Sequence, residues 1–308
     1  MSENLENIIT KGFHSWTRNL NICIPLLTNY VVQLTVMFFA AIAAMLLFFG
    51  RNLSGIASMD EDELFDLMSV SIMENLTGAI IIALLVFLIL FLIDAYFFAG
   101  AVGMSQNATA NGDASIADMF NAGSSNFINI FLANFLIMLM KIAGIIFVVP
   151  GAILTRNYME VLESTQFTSG IMLLLIGIVM WGIYLLIFSV VLAIVLYSIV
   201  IERTGAMDGI IRGYSFFMDN KFSVFALWLV IFAVSTAIAV IFFFAGEVIA
   251  LIGSDGLNTI WSLGSQVLIL VTIQPLIMIW WTRLYMVRTG KNIHIDELLT
   301  DTWSSQGK

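Results

Sequence analysis

Three charged residues stand inside strongly apolar segments of this 308-residue chain, and they are where it could do chemistry: Asp94, Lys141 and Glu247. A charge at bilayer depth is costly, so it is kept for a partner, a water-filled space or a moving ion. Counting along the segments places Lys141 and Glu247 in the same half of the membrane, which predicts an ion pair between them. Such a pair could fix helix register or relay a proton or ion. Register is the more economical reading, because a buried pair argues for little beyond specificity. Asp94 lies about two-thirds into its segment, where it could face Arg283, snorkel or line water. The Gln274-Pro275 step falls inside the last segment and predicts a kink with a freed carbonyl, either a packing irregularity or the broken helix of a transport site. Asp94, Lys141, Glu247, Gln274 and Arg283 are therefore the candidate intramembrane polar residues.

A search for catalytic groups finds none. The histidines are His14 and His294, both predicted on short polar-apolar helices outside the membrane, so no His-based metal site or assisted nucleophile can be assembled within it. The lone Cys23 forms no intrachain disulfide and no thiolate cluster. Gly253-Ser-Asp-Gly256 superficially resembles a hydrolase fragment, but it reads as turn chemistry. No phosphate loop, zinc-protease or dinucleotide pattern is present. A net charge of −9 without a basic patch excludes nucleic acid as a partner. No catalytic, cofactor-binding or metal residue is assigned, and the reading is a non-enzymatic protein.

The elements that must position the charges follow from composition. With 60% hydrophobic and only 11% charged residues, the chain is an all-α, multi-pass membrane protein. Six segments carry the apolar character: 22–50, 76–103, 127–150, 170–201, 222–253 and 260–287. Each exceeds the ~20 residues that cross a hydrocarbon core. The first run is too long for a cleavable signal. Lys11, Arg18, Arg203, Arg212, Lys221, Arg283, Arg288, Lys291 and Lys308 fall on one side, against Arg51 and Arg156 on the other, which predicts both termini in the cytoplasm. Trp16, Trp228, Trp280 and Trp281 suit an aromatic belt at that boundary.

A repeat organises the six spans. Gly213-Tyr-Ser-Phe-Phe-Met-Asp-Asn220 is echoed by Gly12-Phe-His-Ser-Trp-Thr-Arg-Asn19 and by the weaker Met119-Phe-Asn-Ala-Gly-Ser-Ser-Asn126. Apolar residues before each Asn have helical spacing, as in a helix lying in the interface. Asn19, Asn126 and Asn220 are then predicted N-caps of the spans that follow. The unit is an interfacial helix plus two spans, with copies near 1–103, 113–201 and 206–287, and the tail 288–308 starts a fourth such helix through Ile295, Leu298, Leu299 and Thr302. Parallel repeats of this kind can share a central site. Ser105 to Asp113 is expected to turn the chain. The acidic run Asp60-Glu-Asp-Glu63 opens a helix outside, read as a solvated face in preference to a cation site. Asn52-Leu-Ser54 and Asn75-Leu-Thr77 fit the glycosylation sequon.

Glu202-Arg-Thr-Gly-Ala206, Gly213-Tyr-Ser-Phe-Phe217 with Asn220, and Trp280-Trp-Thr-Arg-Leu-Tyr-Met-Val-Arg-Thr-Gly290 resemble a group of prokaryotic, largely archaeal, multi-span proteins. That group is similar to the membrane domain attached to some glycerophosphoryl diester phosphodiesterases, and the resemblance covers nearly the whole chain. The phosphodiesterase barrel is absent, so the resemblance implies a helical membrane module without hydrolase residues. The expected role is a scaffold, lipid-interacting or accessory module of the cell envelope, with membrane lipids, other envelope proteins or a second copy as partners. The alternative is a small-solute or ion transporter with a cavity between the repeats.

Overall fold

A computed structural model describes residues 3–50, 60–155, 169–253 and 255–293. Its helices are α1 (Leu5–Arg18), α2 (Cys23–Phe49), α3 (Glu61–Glu74), α4 (Leu76–Asn111), α5 (Ile116–Ala143), α6 (Val149–Leu154), α7 (Ser169–Val191), α8 (Val195–Glu202), α9 (Ala206–Asp219), α10 (Lys221–Leu251) and α11 (Asp255–Arg288), with no strand among the described residues. Six stretches are long and apolar enough to cross a membrane: Leu20–Phe48, Leu76–Asn111, Ile116–Phe147, Ser169–Glu202, Lys221–Leu251 and Gly256–Arg288. Helix is what such runs must form, because in lipid their backbone groups have only intrahelical partners. Arg51, the Asn52 sequon, Arg156, His294 and the proposed terminal helix through Ile295, Leu298, Leu299 and Thr302 lie outside the described residues, as does Ser254 of the Gly253–Gly256 turn.

One reversal falls later than its polar composition predicts. α4 continues through Ser105 and Thr109, whose hydroxyls donate to the Ala101 and Ser105 carbonyls at 2.8 Å. A hydroxyl bonded one turn back leaves the helix intact. The chain turns at Gly112, which takes the left-handed conformation (φ 82°) that glycine adopts without cost. α5 then begins with a capping box, Ser115 and Asp118 bonding reciprocally.

Two of the three marker asparagines act at the other helix end from the one expected, and the third at neither end. Asn19 and Asn220 close α1 and α9: each donates its side-chain amide to the carbonyl four residues back, Ser15 at 3.0 Å and Phe216 at 3.1 Å. Neither accepts from the first turn of the next helix. Asn75 makes the same bond to Ser71 between α3 and α4. These residues share backbone angles near φ −112° to −127° and ψ 31° to 57°, so each is a one-residue elbow joining two helices. In each case the same carbonyl also accepts the backbone N–H of the Asn, so the side-chain amide is a second bond that fastens the elbow to the last turn of the helix before it. Asn126 bonds the Ala122 carbonyl too, at 2.9 Å, but lies within the unbroken α5, so the second copy has no elbow.

Packing concentrates at the end of the bundle where α1, α8 and α9 lie. Ile8, Ala99, Val102, Ile194, Ile199, Leu227 and Leu284 are fully buried there. The apolar side of α1 therefore meets protein, not the acyl boundary. Gly12 permits this, since a Cβ on it would stand 2.5 Å from Trp280 Cδ1. A Cβ on Gly103 would stand 2.2 Å from that of Ala122, and one on Gly209 2.1 Å from Ile199 Cγ1; these close approaches seat α4 on α5 and α9 on α8. Trp280 and Trp281 are 4% and 5% exposed, so they are core residues and not a belt. Trp280 Nε1 donates to the Ile9 carbonyl at 3.0 Å.

Asn19 is the strongest of the elbows. It is 3% exposed, donates also to the Gly112 carbonyl at 3.2 Å, and accepts from the Ala114 amide at 3.0 Å. Asn19→Ala leaves the Gly112 carbonyl without that bond and the Ala114 amide with Asp113 Oδ1 alone, and is expected to cost about 1–3 kcal/mol in a reversible unfolding measurement in detergent. Asn126→Ala, in a continuous helix whose Ala122 carbonyl keeps its backbone partner, is expected to cost less than about 1 kcal/mol.

Candidate intramembrane polar site

Arg283 is 3% exposed, yet it does not meet Asp94. Its guanidinium holds the Glu3 carboxylate bidentately, Nη2 to Oε1 at 2.9 Å and Nε to Oε2 at 3.1 Å. Lys11 Nζ adds a third contact to Oε1 at 2.7 Å. Partial burial works against the charged Glu3, but the Arg283 and Lys11 cations outweigh it and hold the carboxyl below its ordinary 4.5. This cluster straps the start of the chain to the last turns of α11. A second acidic contact lies nearby, Tyr285 donating to Glu202 Oε1 at 2.8 Å while Arg212 holds the other oxygen.

Asp94 is left with amides. Among the described residues its one hydrogen-bond partner is Asn29, whose Nδ2 donates to Oδ1 at 3.1 Å, and Asn29 Oδ1 in turn accepts from Gln33 at 3.1 Å. No cation pairs with the carboxylate among those residues. The group faces a cavity of about 260 Å³ between α2, α4, α8 and α11, whose polar lining is Asn29, Tyr30, Gln33, Asp94, Tyr197 and Gln274. Tyr30 bonds Gln266 across its mouth at 2.7 Å. Toward the α1 end the space is closed: Ile22, just before α2, packs with Met104 of α4 and Ile279 of α11, and all are fully buried. The cavity is thus a cleft with a packed floor on the α1 side.

Of the five predicted polar residues the structure brings together two, Asp94 and Gln274. Pro275 sits inside α11 beside the cleft and, lacking an amide hydrogen, leaves the Val271 carbonyl without its bond from residue 275. The predicted Lys141–Glu247 pair does not form. Both side chains are exposed on the outside of the bundle, and among the described residues no ion pair joins them. The long Lys141 stem can carry its charge to the membrane edge without a partner. Asn29 and Gln33 were not singled out from sequence, although their signal was legible: two carboxamides one helical turn apart in a strongly apolar segment.

Residues 4–281 match the family described as "Domain of unknown function (DUF7847)", and the chain belongs to that family. No curated protein and no solved structure matches it.

The Glu3 contact gives a pH dependence of defined sign. Because the native carboxyl titrates below 4.5, the stability it contributes is complete above that value and is lost as pH falls through the lower native value. Glu3→Gln leaves a buried guanidinium without its counter-charge, so we expect a loss of about 3 kcal/mol at neutral pH and a flatter acid limb in the unfolding profile.

Proposed function

We propose that this is a non-enzymatic module of the cell membrane that binds the polar part of a membrane-soluble amphiphile in the cleft at Asp94. The observation that carries this reading is a half-buried carboxylate without a counter-cation, held by Asn29 and turned to a space lined by amides and phenols. Such a group is expensive at membrane depth unless a ligand completes it. The mixed lining favours an amphiphile: Leu26, Phe98, Leu270 and Met278 offer apolar contact beside the polar groups. A ligand presenting an ammonium or several hydroxyl donors suits the acceptors there. The closed floor favours binding over conduction.

The surroundings support a place in the membrane with both termini cytoplasmic. Arg18, Arg203, Arg212, Lys221, Arg288 and Lys291 gather at the α1 end, as cytoplasmic faces do. Met207, Ile211, Tyr214 and Met218 form an exposed apolar row along α9, suited to lie against lipid. We read the three-part repeat as the scaffold of the module, and its kinship with the membrane domain of glycerophosphoryl diester phosphodiesterases as one of scaffold alone.

Transport is the second reading, favoured by one observation: the Pro275 interruption of α11 lies beside the cleft and could hinge the closed floor. Native mass spectrometry after detergent exchange separates the two. We expect wild-type protein to retain an amphiphile and Asp94→Asn, which keeps the shape and an Asn29 contact, to lower its occupancy by about tenfold. Equal retention by Asp94→Asn would remove the cleft as the site. Asp94-dependent solute flux in proteoliposomes, without a retained amphiphile, would favour transport.

A further inference from the structure

A second polar space lies at the α1 end, away from the cleft. It is a crevice of about 90 Å³ where the ends of α4, α5 and α8 meet, lined by Gln106, Asn107, Asp118, Asn121, Asn126 and Arg203. Among the described residues the side chains of Gln106, Asn107, Asn121 and Arg203 have no hydrogen-bond or ion-pair partner. Asn126 is 3% exposed, and its two bonds, to the Ala122 carbonyl and to Ser125 Oγ, use Nδ2 and leave Oδ1 unbonded. Gln106 and Asn107 are half-buried and Asn121 and Arg203 exposed, so the crevice collects amides and a guanidinium that no protein group occupies and that a ligand can reach.

The backbone at Arg203 adds an independent argument. It is the one non-glycine among the described residues with positive φ, at 53°. A residue with a Cβ adopts that region at a cost, and such strain persists where the surroundings impose it. The chain had a cheaper solution, because Arg203-Thr-Gly205 and Arg288-Thr-Gly290 have the same wording. At the end of α11 the left-handed residue is Gly290 (φ 68°) and Arg288 stays helical, bonded to Ser223 Oγ at 3.1 Å. At the end of α8 Gly205 is extended (φ −67°) and the arginine itself turns. That turn places Arg203 in the lining of the crevice.

We propose that the crevice binds a phosphate group, with Arg203 as the charge partner and Gln106, Asn107 and Asn121 as amide donors. Arginine is suited to this by its planar set of donors, which matches phosphate oxygens in pairs. The acid in the lining, Asp118, has one oxygen engaged, Oδ2, which accepts from the Ser115 amide at 2.8 Å and hydroxyl at 2.7 Å. It also sits in the first turn of α5, whose positive dipole end offsets its charge. The phosphate can belong to a phospholipid headgroup or to a soluble phosphate, and the site does not depend on what occupies the cleft at Asp94.

The test uses the full chain in an uncharged detergent. Inorganic phosphate is titrated by calorimetry, and retention of phosphatidic acid is compared with that of diacylglycerol by native mass spectrometry. We expect Arg203→Gln and Arg203→Gly to weaken the binding by at least about tenfold, and Arg203→Lys, which keeps the charge but not the paired donors, to weaken it less. Arg203→Gly relieves the backbone strain and should melt no lower than wild type, so its loss of binding is not a loss of fold. Binding of inorganic phosphate identifies a soluble ligand, and selective retention of phosphatidic acid alone identifies a lipid. The proposal is overturned if wild type binds neither probe, or if Arg203→Gln and Arg203→Gly bind both as wild type does.

Discussion

A guanidinium keeps its charge at any pH the protein meets, so a buried arginine dictates what must surround it. Arg283 is that residue here. Its needs are met by Glu3, 280 positions away in the chain, in a fork-to-fork contact that two hydrogen bonds orient. Several features follow. The start of the chain is drawn to the end of α11, and α1 lies along it with Ile8 buried and Trp280 bonded to the Ile9 carbonyl. Asp94, the other acid that might have served, is released to face the cleft.

The α1 end of the bundle is built by a small set of devices that let helices turn sharply and pack closely where the membrane ends. Asparagine elbows at Asn19 and Asn220 add a side-chain bond to a carbonyl of the last turn of one helix while the next helix starts at once. Glycines at 12, 103 and 209 remove the side chain where a neighbour arrives within the radius of a Cβ. Glu202 ties α8 to both α9 and α11 through Arg212 and Tyr285. The consequence is an asymmetric molecule: buried residues gather at this end, while large apolar side chains such as Phe38, Ile81 and Phe244 are exposed in the opposite half of the spans. A polar cleft above a packed floor is what that asymmetry produces.

Much of this was legible in the residues. Apolar runs longer than the bilayer is thick admit helix and little else, so the all-α class and the six long helices followed from composition and length. The short helices before Asn19 and Asn220 were also legible, since their apolar residues recur every three or four positions. Asn126 misled, because the polar residues around it suggest a break, whereas a bonded Asn and serine hydroxyls directed to backbone carbonyls are compatible with continuous helix. Ser105 and Thr109 misled for the same reason.

Which charges meet was decided by tertiary structure. Counting residues along a span gives depth but not azimuth, so Lys141 and Glu247 could be set at one level and yet point away from each other. Asp94 could be recognised as a buried acid, but its neighbours Asn29 and Gln33 come from another helix, and only the packing of α2 on α4 selects them. The identical words Arg203-Thr-Gly205 and Arg288-Thr-Gly290 end two helices in different ways, for the same reason. Sequence by itself determined what each segment must become in a low-dielectric solvent that satisfies no backbone group. Tertiary structure alone decided partners, because pairing depends on the rotation and approach of whole helices, which the close contacts at glycine and the buried Arg283 set.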